Sequence, residues 1–192
     1  MAIWTLDKAH TEVKFKVRHL VVSSVAGTFD DFSGSITSTG DDFSTSKVVF
    51  EADVNSINTK NEMRDGHLKS ADFFDSANHP KLTFVSKSIE KKSDDEYVVT
   101  GDMTIRGTTK EVALKAIYNG QSVGFGGSIV AGFELSGKLN RMDYGLHWNA
   151  LTEAGGVAVG DEVKLSIDAE LIKQSEAAEP ATVSNEKELV AQ

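Results

Sequence analysis

The chain has 192 residues, 40% of them hydrophobic and 26% charged. That is the composition of a folded globular protein, long enough to bury ~70% of its unfolded surface in one domain. Its formal net charge of −9 argues against a nucleic-acid backbone as partner, and against holding to an anionic leaflet by net charge alone. There is no cysteine, which removes disulfides, thiolate nucleophiles and cysteine-bound metals, and no run of ~18 apolar residues to span a bilayer as a helix.

The first residues, MAIWTLDKAH, lack the ~7–15-residue apolar core of a secretory signal. The expected location is the cytoplasm for the chain as given, and the periplasm if a signal once preceded it. The pattern that follows is mostly period two. Val13, Phe15, Val17 and His19 alternate with Lys14, Lys16 and Arg18, giving a strand with one buried and one wet face. Residues 27–37 form a further glycine-rich strand. Val48, Phe50, Ala52 and Val54 alternate with Glu51 and Asp53.

The next segment changes period. Thr59-x-x-Glu62 reads as a capping box opening a helix that ends near residue 71. Met63, Arg64, His67, Leu68 and Ala71 share one broad sector, with Glu62, Asp65 and Lys69 opposite. Gly66 in a helix interior costs ~1 kcal/mol relative to alanine and points either to close contact with another backbone or to a short, broken helix.

Alternation then resumes. Leu82, Phe84 and Ser86 face away from Thr83, Val85 and Lys87; Tyr97, Val99, Gly101, Met103 and Ile105 alternate with Thr100, Asp102 and Thr104. Val112, Leu114 and Ala116 follow, then residues 122–139, and finally Val163, Leu165, Ile167, Ala169 and Leu171 against Lys164, Ser166, Asp168 and Glu170. Turns fall at residues 39–42, 93–95, 106–108, 119–120 and 155–156. About eight antiparallel strands result: an all-β domain over residues 1–173, either a sandwich or a closed barrel. The 16 glycines lean toward a barrel, because coiled strands bend at glycine. From Gln174 the periodicity stops, and residues 174–192 carry four glutamates and one lysine, an expected acidic and disordered tail.

Catalytic motifs are missing. There is no HExxH and no clustered metal-ligand spacing, so no metal site is expected. There is no GxSxG elbow, and glycine-rich 124–127 and 155–156 do not lead from a strand into a helix. His19 continues an apolar phase, as either a satisfied rim histidine or a ligand contact. Arg64 on an apolar helix face is rarer, since arginine seldom buries without a partner. It either pairs with Asp65, Asp72 or Asp75, or offers its guanidinium fork to an anionic or carbonyl head group. Phe15, Phe29, Phe32, Phe50, Phe84, Phe133, Tyr144 and Trp148 either fill the interior or line it, for both kinds of eight-stranded barrel exist.

Several segments together resemble the YceI-like family, polyisoprenoid-binding proteins with a lipocalin-like barrel. They are Trp4-x-x-Asp7-x-x-His10-Thr11-x-Val13-x-Phe15-x-Val17-x-His19-Leu20, Gly27-Thr-Phe-Asp-Asp-Phe-Ser-Gly34, Ser56-Ile-Asn-Thr59 and Arg64-Asp-Gly-His-Leu-Lys-Ser-Ala-Asp-Phe-Phe-Asp75. Pro80-x-x-x-Phe84-x-Ser86, Gly101-Asp-Met-Thr-Ile-Arg-Gly-Thr108, Asn140-Arg-Met-Asp-Tyr-Gly145 and Val159-Gly-Asp-Glu-Val163 continue in the same order, so the likeness runs from Trp4 to about Leu171. It implies an eight-stranded antiparallel barrel with a lipid-lined interior, often dimeric, for isoprenoid chains, isoprenoid quinones or other long-chain amphiphiles, and often exported.

The resulting expectation is a non-catalytic binder, store or carrier for such an amphiphile, needing no cofactor beyond its guest. Phe15, Val17, Phe50, Phe84, Met103, Leu114, Phe133 and Trp148 are the candidates for the tail, and His19, Arg64 and His67 for the head group. Two other classes stand beside it: a barrel enzyme using His19 or His67 as acid–base, and a filled structural or stress-response barrel without ligand.

Overall fold

The computed structural model describes residues 1–39, 42–153 and 156–174. Strands β1 (Ala2–Leu6) and β2 (Glu12–His19) are two halves of one line, since both pair antiparallel with the last strand, β11 (Val159–Lys173). Strands β3 (Ser23–Phe29) and β4 (Phe32–Ser38) form the next line, broken at Asp30-Asp31; β3 pairs with β2 and β4 with β1. Strands β5 (Lys47–Asp53) and β6 (Ile57–Asn58) form the third, interrupted by a 3-10 turn over Val54–Ser56. Then come β7 (Lys81–Lys91), paired with β5, and β8 (Glu96–Ile105), β9 (Thr108–Val123) and β10 (Ile129–Asn140), each paired with the strand before it.

Strand β10 pairs with β11, and β11 returns to β1 through Trp4↔Lys173, Thr5↔Ile172 and Leu6↔Leu171. The outcome is a closed, up-and-down barrel of eight strand lines, which decides between the sandwich and the barrel. Gln174 is still tied to it, its N–H donating to Ile3 O at 2.8 Å. The expected acidic tail beyond that residue lies outside the described residues, as do parts of the turns at 39–42 and 155–156.

Alternation does what the sequence pattern requires. On β8, Tyr97, Val99, Gly101, Met103 and Ile105 are buried and the residues between them are half-buried. On β11, Val163, Leu165, Ile167 and Ala169 point inward yet remain only half-buried. Inward residues that keep accessible surface border a hollow interior, not a packed one. Glycine makes room for two large wall residues. A Cβ on Gly101 would lie 2.4 Å from Val85 O and 2.6 Å from the Phe84 ring; one on Gly137 would lie 2.4 Å from Leu114 Cδ2.

The helix is shorter than the capping-box reading implies. Helix α1 spans Glu62–Lys69, with Asn61 as its N-cap, its side chain accepting from Arg64 N at 2.9 Å. Thr59 cannot cap it, because Lys60 takes a left-handed φ of 61° and the Thr59 hydroxyl is engaged by Asp65 and Arg64. Gly66 touches no other backbone, and a side chain there would meet open space.

Gly101→Ala would push a methyl into a backbone carbonyl, which cannot rotate away. We expect a loss of about 1–3 kcal/mol by denaturant unfolding, and Gly66→Ala, which meets nothing, should instead stabilise by up to ~1 kcal/mol.

Candidate functional site

The interior holds a cavity of about 220 Å³ whose wall runs the length of the barrel. On β11 it is lined from Val159 to Leu171; the regular stretch from Val163 to Leu171 alone, eight residues at ~3.3 Å each, tilted ~40°, spans ~20 Å along the axis. Half of a ~30 Å bilayer core, the depth of one ordinary acyl chain, is ~15 Å. The wall is apolar. Lys14 contributes its stem alone, since its ammonium lies outside, 2.8 Å from Glu12 and 2.7 Å from Asp168.

The two ends close differently. At one, Asp42 caps a 3-10 turn, accepting from Ser44 N at 2.9 Å, and this turn drives Phe43 inward. Phe43 sits against Phe133 at 5.0 Å, Tyr118 at 5.5 Å and Trp4 at 5.6 Å between ring centres, making an aromatic plug. At the other, α1 and the residues after it form a lid. Leu68, Phe73 and Phe74 face the cavity. Arg106 ties this lid to the barrel by donating to Ala71 O at 2.9 Å and to Gly145 O at 2.6 Å.

Beside the lid lies a side chain that the sequence pattern did not single out. Arg141 is 3% exposed and lines the cavity. Its Nε donates to Gly160 O at 2.9 Å, Nη1 to Leu146 O and to Trp148 O at 2.9 Å, and Nη2 to Val159 O at 3.2 Å; Nη2 also lies 3.5 Å from Asp161. Four of the five N–H groups of the guanidinium thus go to carbonyls, and the side left over faces the Asp161 carboxylate. Burial lowers its pKa and Asp161 opposes that, so the cation persists with no donor left to offer. Tyr144, 2% exposed, also lines the cavity, and its hydroxyl has no hydrogen-bond partner among the described residues; the same holds for Ser46 Oγ near the plug. Burial, with Asp143 nearby, pushes the Tyr144 phenol up, so it stays a donor.

Of the residues expected to meet a guest, Phe15, Val17, Phe50, Phe84, Met103, Leu114 and Phe133 all lie on this wall. The other four stand off it. Arg64 turns back to donate to Thr59 Oγ1 at 2.7 Å and Thr59 O at 2.8 Å, and takes none of the expected acids. His67 Nε2 lies 2.9 Å from Asp72 Oδ2, its ring edge-on to Phe73 at 5.1 Å and Trp148 at 4.6 Å. Trp148 thus packs within the lid. His19 ends β2 at the rim, where its carbonyl accepts from Ser23 Oγ at 3.0 Å. Phe43 and Arg141 were missed. The Asp42-x-Ser44 cap was a legible signal for the first; nothing in the irregular stretch after Asn140 shows which carbonyls Arg141 holds.

Outside the barrel, His10 Nδ1 lies 2.8 Å from Asp7 Oδ2 and 3.6 Å from Glu170 Oε1. The Asp7 hydrogen bond, then the charges of both acids, raises His10's pKa.

Comparison with known proteins agrees with this architecture. The YceI-like domain model matches residues 4–171. The chain belongs to the YceI-like family. A UPF0312 protein of Staphylococcus aureus (strain MSSA476) is 42% identical over 171 residues, covering 88% of this chain and 97% of the relative. The crystal structure of a Campylobacter jejuni YceI protein superposes with TM-score 0.71 at 34% identity, covering 88% of this chain and 96% of that one. A polyisoprenoid binding domain from Saccharophagus degradans, implicated in plant cell wall breakdown, has TM-score 0.67 at 16% identity over 89% of this chain and 98% of that one, a likeness of fold. No helix among the described residues of this YceI-like chain is long and apolar enough to cross a membrane.

Removing the Arg141 clamp tests its role. Arg141→Met would orphan four carbonyls, and we expect a loss of about 3 kcal/mol or more, with backbone amides of residues 146–153 and 156–160 exchanging faster with deuterium. Equal exchange in both proteins would refute the clamp.

Proposed function

We propose that this barrel is a non-catalytic binding protein that stores or carries one long-chain neutral amphiphile, an isoprenoid quinone or similar polyisoprenoid. The carrying observation is the long apolar cavity with a buried phenol at its lid end, where the lining cation among the described residues, Arg141, is held by backbone carbonyls. Each buried methylene contributes ~0.8 kcal/mol, while association and ordering cost roughly 4–15 kcal/mol. A short tail gains too little and a long one suffices.

The head-group argument is electrostatic. A phosphate placed inside would need several donors, but Arg141 has committed four N–H groups to backbone carbonyls and faces Asp161 with the rest, and burying a charge without such partners is prohibitive. A carbonyl needs one donor, which the Tyr144 hydroxyl can supply. Arg64, His67 and Trp148 act in this reading by holding the lid, and His19 by sitting at the rim. An acid–base enzyme would need an imidazole on the wall, and neither His19 nor His67 lies there. Family membership and the shared fold of the domain described as polyisoprenoid-binding support the same class of guest. Pairing of two copies would extend the reading without altering the cavity.

The test is organic extraction of protein purified from a host that makes isoprenoid quinones, followed by mass spectrometry and by titration with a quinone probe. We expect one long-chain neutral lipid, affinity lowered about ten-fold or more by Leu114→Trp, and no comparable binding of a polyprenyl phosphate. Tyr144→Phe should separate two effects: affinity for the quinone falls about 2–10-fold while the guest-free protein melts no lower. Failure to extract any lipid, together with no quinone binding, would end the proposal.

A further inference from the structure

The rim at the lid end carries apolar residues that the interior does not explain. Leu20, Val21 and Val22 join β2 to β3 and are 43%, 74% and 86% exposed. Leu20 N–H donates to Ala158 O at 2.9 Å, and the neighbouring Val157 pairs with Leu151, both exposed, so one apolar edge runs along the rim. Leu20 and Val21 have φ of 51° and 66°, the left-handed region that glycine and asparagine occupy readily and a β-branched residue does not. Val21 therefore satisfies neither a local backbone preference nor burial within its own chain.

Behind this edge is a row of cations. On the outer face Lys16 of β2 stands opposite Lys164 of β11, which stands opposite Lys138 of β10, and Arg18 lies one outward position nearer the tip. Lys138 bonds Glu162 at 3.1 Å, whereas Lys16, Arg18 and Lys164 have no ionic partner among the described residues. Glu162 is taken by Lys138, and Asp161 lies nearest Arg141. Like charges facing one another across strands oppose folding. The net charge of −9 thus conceals a local positive band.

We propose that this rim docks on an anionic phospholipid bilayer, with Leu20, Val21, Val22, Leu151 and Val157 sunk into the interface and Lys16, Arg18 and Lys164 against the phosphates. The spacing fits. Arg18 and Lys16 lie two and four residues behind Leu20, about 5 and 10 Å along the axis at ~3.3 Å per residue and ~40° tilt. An interfacial apolar edge enters to ~5–10 Å, which brings both cations to headgroup depth. Val17 and Val159 of the cavity wall lie on the strands that lead to this edge, so docking brings the cavity to the membrane. The choice of a bilayer rests partly on the reading that the guest is a membrane lipid. The docking rim also carries an exposed acid, Glu153, and the opposite end exposes Val123 and Phe125, so Phe125 serves as the control.

The experiment is sedimentation of the full chain with vesicles of phosphatidylcholine alone or mixed equally with phosphatidylglycerol. Binding is expected to the mixed vesicles and to weaken with salt. The triple variant Lys16→Ser, Arg18→Ser, Lys164→Ser should lose on the order of 10²-fold, since each cation near the surface contributes about five-fold. Val21→Asn with Val22→Ser should lose about ten-fold while melting no lower, because asparagine suits the left-handed turn. Phe125→Ser should bind as the wild type. No binding to mixed vesicles, wild-type binding by both rim variants, or a loss that follows Phe125→Ser would each overturn the proposal. Quinone affinity measured in detergent should be unchanged in the rim variants, so a failed docking test and a failed carrier reading are distinguishable.

Discussion

The sheet closes on itself where its first strand line, β1 with β2, pairs along β11, and the rest of the molecule depends on that seam. Trp4, Thr5 and Leu6 meet Lys173, Ile172 and Leu171, and Glu12 to Val17 meet Asp168 to Val163. Without that contact the strands would form a curved open sheet with two unpaired edges and no inside. With it, period-two alternation becomes a distinction between interior and solvent. Leu165 and Ile167 acquire a hollow to face, and Lys164 and Ser166 an exterior. Eight strands give a bore at the width where side chains either just fill it or leave space for one slender guest, and here they leave space.

The two ends of the bore differ in the kind of force that shuts them. The plug is aromatic and depends on dispersion among Phe43, Phe133, Tyr118 and Trp4. Opening it would expose large rings with nothing to replace their contacts. The lid adds polar ties to its own ring contacts, Phe74 on Phe29 and Phe73 on Trp148: Arg64 and Asp65 to Thr59, His67 to Asp72, Arg106 to Ala71 and Gly145. Water can take over each of these at little net loss, since an intramolecular hydrogen bond contributes only about 0.5–1.5 kcal/mol. In the carrier reading a guest would pass at the lid end, where part of the closure is polar, with Arg141 holding the adjoining segment.

How much of this was readable beforehand follows from the range of each interaction. The strands were legible because alternation is local: Val13, Phe15 and Val17, or Tyr97, Val99 and Met103, need no knowledge of their neighbours to show which face is apolar. Barrel against sandwich was not legible from spacing, because closure joins Trp4 to Lys173; the family likeness supplied it. The lid helix was visible, but its start was misplaced by three residues, since the Thr59 hydroxyl serves Asp65 and Arg64 and not a helix end. Arg64 and His67 were noticed as unusual on an apolar face, and their partners proved to be within the lid. Arg141 stayed hidden because its carbonyl acceptors lie as far on as Gly160 and carbonyls leave no mark in a residue pattern.

The unfilled bore also has a volumetric consequence. A protein whose native form encloses dry space loses volume when it unfolds and that space collapses, so hydrostatic compression favours the unfolded chain in proportion to the enclosed emptiness. Side chains such as Leu135, Leu139 and Ile167 border that emptiness instead of interlocking. The barrel should therefore yield to compression more readily than a solid β-protein of equal thermal stability, and an occupant would act as an internal strut.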